Sequence, residues 1–130
     1  MSLTLTLDFQ YKTSIEKAWA ALTDANKLEK WIADNDFMPM VGHRFQFRHT
    51  PYEYWDGIVD GEVLVVEEPT RLSYSWGTGD ERQTVNWTLQ ELGEGEVKLQ
   101  LEQTGFTTAE GLEGAKYGWN EWFGKFDEVL

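Results

Sequence analysis

The stretch Thr108–Leu130, TAEGLEGAKYGWNEWFGKFDEVL, decides the fold. Leu112, Ala115, Trp119, Trp122, Phe123, Phe126 and Leu130 recur at three- and four-residue steps, the spacing of one apolar stripe on a long helix. A stripe that wide needs a large concave partner. Gly114 and Gly118 sit inside the pattern, where each costs about 1 kcal/mol relative to alanine. Their presence is expected to permit close backbone approach or to leave room beside the helix.

The segments before Gly105 supply that partner. Leu3, Leu5, Leu7, Phe9 and Tyr11 alternate with Thr4, Thr6, Asp8, Gln10 and Lys12, which predicts a half-buried strand. Thr13 and Glu16 have capping-box spacing ahead of Ile15, Ala18, Trp19 and Leu22, so a short helix follows directly. Asp24 can cap a second short helix carrying Leu28, Trp31 and Ile32, and Ala33 to Met40 reads as a polar loop. From Val41 the period is two. The expected strands carry Phe45, Phe47 and His49; Gly57 to Val66; Leu72, Tyr74 and Trp76; Val85, Trp87 and Leu89; and Val97, Leu99, Leu101 and Gln103. Glu67-Glu68-Pro69, Gly77 to Asp80 and Gly93-Glu94-Gly95 are the turns between them.

This order of elements predicts an α+β helix-grip architecture: a curved antiparallel sheet of about six strands wrapped around the long C-terminal helix, with two short helices after the first strand. A single domain over 1–130 is expected from the length. Bending the sheet around a helix leaves a gap, to be filled by aromatic side chains or by a ligand.

Composition limits the function. Eleven basic against twenty-three acidic residues give a net charge of −12, which repels phosphate backbones and anionic lipid surfaces. Neither nucleic acid nor membrane is therefore an expected partner, and the alternating N-terminus is neither signal peptide nor membrane span. The absence of cysteine excludes disulfides and thiolate metal sites and suits a cytoplasmic location. Seven tryptophans, seven phenylalanines and five tyrosines are more rings than a core of this size needs, which favours an aromatic-lined hollow.

Ser14-Ile15-Glu16-Lys17-Ala18-Trp19-Ala20-Ala21-Leu22-Thr23-Asp24 with Trp31, then Val41-Gly42 before Phe45 and Phe47, resembles the START-like superfamily, also called SRPBCC. Gly61-Glu62-Val63, Glu68-Pro69-Thr70-Arg71-Leu72, Tyr74-Ser75-Trp76, Gln103-Thr104-Gly105-Phe106 and Gly118-Trp119 fit the branch named after the activator of the 90-kDa heat-shock protein ATPase. The likeness runs from about Leu7 to Leu130. It implies a helix-grip fold like that of the pollen-allergen Bet v proteins, with a cavity used across the superfamily for lipids, hormones and polyketides. In the eukaryotic activator such a domain is joined to a separate N-terminal domain that also engages the chaperone, and no counterpart of it is read in this sequence. The matched positions are turn and core residues, so they transfer no catalytic group.

Chemistry-bearing residues are few. His43 and His49 stand at opposite ends of one expected strand, roughly 20 Å apart, and cannot share a metal. His49 is in phase with Phe45 and Phe47, which leaves two readings, a polar handle facing the hollow or a satisfied core or rim histidine. Asp34-Asn35-Asp36 lacks the third ligand and the glycine of a calcium loop, since Met38 and Pro39 stand there. No catalytic constellation, metal site or cofactor site is nominated. The expected lining of the cavity is Phe45, Phe47, His49, Trp55, Tyr74, Trp76, Trp87, Trp119 and Phe123. The expected function is non-enzymatic binding of a small apolar or aromatic ligand by a monomer or homodimer. A stress-related chaperone-associated module is the alternative, and a cyclase or hydrolase using the same cavity the third.

Overall fold

The computed structural model of the chain describes residues 2–51 and 55–130. Strand β1 (Leu3–Lys12) leads into helices α1 (Ile15–Thr23) and α2 (Ala25–Trp31), which are followed by β2 (Asp34–Asn35) and β3 (Arg44–Arg48). Strands β4 (Ile58–Glu67), β5 (Arg71–Thr78), β6 (Glu81–Gly93) and β7 (Glu96–Phe106) continue the meander. Helix α3 (Ala109–Phe123) and a 3-10 turn at Phe126–Val129 end the chain.

The seven strands form one antiparallel sheet in the order β1-β7-β6-β5-β4-β3-β2. Strand β1 and strand β2 therefore lie at opposite edges, and α1 and α2 carry the chain across between them. Helix α3 lies over the β1 and β7 side of the sheet. The α+β helix-grip arrangement expected from the periodicities is the one observed.

The strand count is seven, not about six. The added strand, β2, falls in the segment read as a polar loop. It holds because Asp34 Oδ2 accepts from Arg48 Nε at 2.9 Å and Asn35 Nδ2 donates to Ala25 O at 3.1 Å and Ala33 O at 3.0 Å. Side-chain bonds of this kind carry no hydrophobic period, so a two-residue edge strand is silent in a pattern search. Phe37, just beyond it, is buried against Phe45 with ring centroids 4.9 Å apart.

Two helix boundaries also differ. The cap of α1 is Ser14 and not Thr13: Ser14 Oγ accepts from Lys17 N at 3.1 Å. Asp24 caps α2 as expected, its Oδ1 accepting from Asn26 N at 2.8 Å. The terminal helix is capped by Thr108, whose Oγ1 accepts from Gly111 N at 3.0 Å, and it stops at Phe123 instead of running to Leu130. Beyond Gly124 the chain tightens into the 3-10 turn, which turns Phe126 and Val129 into the core. Phe126 meets Trp31 at 4.8 Å and Tyr11 at 4.9 Å, and Lys27 Nζ donates to Val129 O at 3.0 Å.

Two glycines are required by the sheet. At Gly61 a Cβ would collide with the Phe45 ring and stand 2.5 Å from Ser75 O, and Gly105 has φ +98° with a Cβ position 3.1 Å from Arg82 O. The first lets Phe45 lie across β4, and the second makes the bend from β7 toward α3.

Candidate functional site

The inward face of the sheet carries rings that α2 and α3 cover. Trp31 is fully buried and lies against Phe123 at 5.0 Å, Trp119 at 6.5 Å and Trp87 at 6.5 Å. Its Nε1 donates to Ala21 O at 2.8 Å, which ties α2 to α1. Phe123 stacks on Phe9 of β1 at 3.8 Å. At these spacings the rings are in contact, so this deep part of the helix–sheet interface is aromatic packing.

Polar atoms inside that packing are organised as a relay. Trp119 Nε1 donates to Gln103 Oε1 at 2.8 Å, Gln103 Nε2 to Gln83 Oε1 at 3.1 Å, and Gln83 Nε2 to Glu81 Oε2 at 3.1 Å. Each amide accepts on one side and donates on the other, so the chain of bonds runs in one direction from the core to a surface carboxylate. It fixes the Trp119 indole. A second pair, Trp87 Nε1 donating to Tyr74 Oη at 3.0 Å, holds two rings of neighbouring strands, and burial pushes the Tyr74 phenol well above its ordinary range.

The rim differs from the deep interior. His49 follows β3 directly, and its N–H donates to Gly57 O at 2.8 Å. Its imidazole lies parallel to Trp122 of α3, with centroids 5.2 Å apart and planes within 2°, and tilts against Trp55 at 5.4 Å. Trp76 completes the group, 6.2 Å from Trp122. His49, Trp55 and Trp122 are half-buried. His49 Nε2 is shielded from water yet has no hydrogen-bond partner among the described residues, a state that costs about 1–3 kcal/mol for a buried polar atom. Burial also lowers the His49 pKa below its ordinary value, so the ring is neutral near pH 7.

Gly111, Ala115, Gly118 and Trp122 are four and three residues apart and share one half-buried stripe of α3 beside the fully buried Trp119 and Phe123. A Cβ built at Gly118 or Gly114 meets nothing within 4 Å. Gly114 is exposed, so it marks no close approach of helix to sheet; Gly118 is half-buried and lies one turn before Trp122.

The nominated residues thus fall into two groups. Phe45, Phe47, Tyr74, Trp87, Trp119 and Phe123 are buried on the inner face, and His49 and Trp55 stand at the rim with Trp76 between them and the interior. Trp122 was not nominated, although its place one turn after Gly118 on the Gly111–Ala115 stripe was readable. Gln103 was visible as a polar residue in phase with Leu99 and Leu101.

Outside this interface, a surface cleft of about 270 Å³ lies between the start of α1 and the β6–β7 hairpin, lined by Ser14, Glu16, Glu91, Glu94 and Glu96 among others. Another of about 330 Å³ lies around Arg44, Asp60, Gly61 and Arg82. His43 Nε2 is paired with Asp36 O at 2.8 Å, and Asp34 and Asp36 are engaged by Arg48 and Gln46. Among the described residues no helix is long and apolar enough to cross a membrane.

Residues 12–130 match the family described as activator of Hsp90 ATPase homolog 1-like protein. No curated protein sequence matches the chain. Among solved structures, protein MLL2253 from Mesorhizobium loti is 36% identical, with a TM-score of 0.87 over 98% of this chain and 96% of its own. CalU16 from Micromonospora echinospora is 24% identical with a TM-score of 0.76 over 95% of this chain and 74% of its own. PFC0360w, an HSP90 activator from Plasmodium falciparum, is 19% identical with a TM-score of 0.81 over 98% of this chain and 95% of its own. The last two likenesses concern the fold alone.

Proposed function

Because the chain belongs to the family of activator of Hsp90 ATPase homolog 1-like proteins, we propose that it is a helix-grip binding protein that holds a small apolar or aromatic molecule where α3 meets the sheet. One observation carries this reading: the rim of that interface gathers His49, Trp55, Trp76 and Trp122, three of them half-buried. Ring faces left partly in water gain by burying a flat apolar partner. The deep rings then act as the rigid wall against which the rim is held.

Titration of the protein with naphthalene, followed by tryptophan fluorescence, tests the reading. A saturable spectral change that Trp122→Ala weakens supports it, and an unchanged spectrum up to the solubility limit of naphthalene rejects it. A hydrolase or cyclase role would require a second titratable group beside His49, which is the one such group among the described residues of the rim cluster.

A second reading, chaperone contact, draws on the family's name and on the exposed apolar loop of Met38, Met40 and Val41. Adding the protein to an Hsp90 ATPase assay tests it. Stimulation that Met40→Asp abolishes supports the reading, and an unchanged rate rejects it.

A further inference from the structure

Among the described residues the rim holds one polar atom whose bonding is incomplete. His49 Nε2 is buried and has no partner among them, while its ring lies between Trp122, stacked parallel, and Trp55, and the backbone bond from His49 N to Gly57 O fixes the main chain that carries it. Gly57 has φ +82°, and a Cβ there would collide with His49 O, so the turn is built to bring the chain close at this point. The imidazole is therefore not free to swing its idle nitrogen into solvent without giving up the stack. Burial keeps the ring neutral, so Nε2 offers a lone pair or an N–H and no charge.

Resting on the ligand-binding reading above, we propose that His49 Nε2 is the polar anchor of the site and that the ligand is a neutral aromatic molecule bearing a hydroxyl, a phenol or naphthol in class. The flat ring contacts Trp122, Trp76 and Trp55, and the hydroxyl meets Nε2. A hydroxyl both donates and accepts, so it satisfies either imidazole tautomer. A charged ligand is disfavoured, because the described residues of the rim, His49, Trp55, Trp76 and Trp122, offer it no counter-charge and would strip its water.

Paired titrations with 2-naphthol and naphthalene, which share a ring system and differ by one hydroxyl, test the proposal. The expected result is that the wild-type chain binds 2-naphthol about tenfold more tightly than naphthalene. His49→Phe should erase that preference while still binding naphthalene, and the His49 ring nitrogen resonance should move with 2-naphthol only. Equal affinities in the wild-type chain, or a preference that survives in His49→Phe, overturn the anchor and leave the binding reading standing. Failure to bind either compound overturns both. Should His49→Phe not fold, the wild-type affinity ratio and the nitrogen shift decide alone.

Discussion

The imidazole of His49 lies flat against the indole of Trp122, 5.2 Å between centroids and 2° between planes, although β4 to β7 and most of α3 separate the two residues in the chain. That stack joins the end of β3 to the end of the terminal helix and encloses a polar nitrogen that has no partner among the described residues.

The stack makes folding sensitive to acid. Burial holds the His49 pKa below 6.5 in the folded chain, whereas the unfolded chain takes up the proton near that value. Below it the unfolded state binds more protons, so this contribution is present above the unfolded pKa and is lost as pH falls. Urea midpoints measured at about pH 7 and 5 should fall for the wild-type chain and fall less for His49→Phe. Equal slopes in the two proteins would contradict the assignment.

The glutamine relay should be costly to interrupt. Gln103→Leu leaves Trp119 Nε1 and Gln83 Oε1 without partners inside the core, and is expected to destabilise by about 2–4 kcal/mol. Chemical denaturation gives the value. A loss below roughly 1 kcal/mol would mean that water reaches both atoms.

Trp31 is the ring on which the deep packing converges. Trp31→Ala removes contacts with Trp87, Trp119, Phe123 and Phe126 together with the bond to Ala21 O, and should cost about 3–5 kcal/mol by denaturant midpoint. It should also loosen the terminal 3-10 turn, seen as faster amide exchange at Val129 and Leu130.

Glycines of the two kinds should respond in opposite directions. Gly114→Ala meets open space on an exposed helical turn and should stabilise by about 0.5–1 kcal/mol. Gly61→Ala drives a methyl into Phe45 and Ser75 O and should destabilise by about 1–3 kcal/mol. Thermal midpoints of the two variants check both signs.

The residues that built the fold were legible because they repeat. Leu72, Tyr74 and Trp76 at period two, and Leu112, Trp119 and Phe123 at helical period, each assign a face locally, and the faces leave one economical arrangement. Asp34 and Asn35 were not legible as a strand, since their pairing rests on Arg48 and on Ala25 O. The break at Gly124 was hidden for a related reason: Phe126 keeps the helical phase, and only contact with Tyr11 and Trp31 selects the tighter turn.

By itself, then, the order of residues determined the elements, their apolar faces and the grip of sheet on helix, because each depends on neighbours within one or two turns of chain. The tertiary structure decided which rings meet. The curvature of seven strands and the angle of α3 bring Trp122 to His49 and Trp119 to Gln103, and those pairings depend on distances across the sheet that no periodicity encodes. Gly114 and Gly118, alike in sequence, were separated in the same way: one is exposed, and the other is half-buried one turn before the ring that lies on His49.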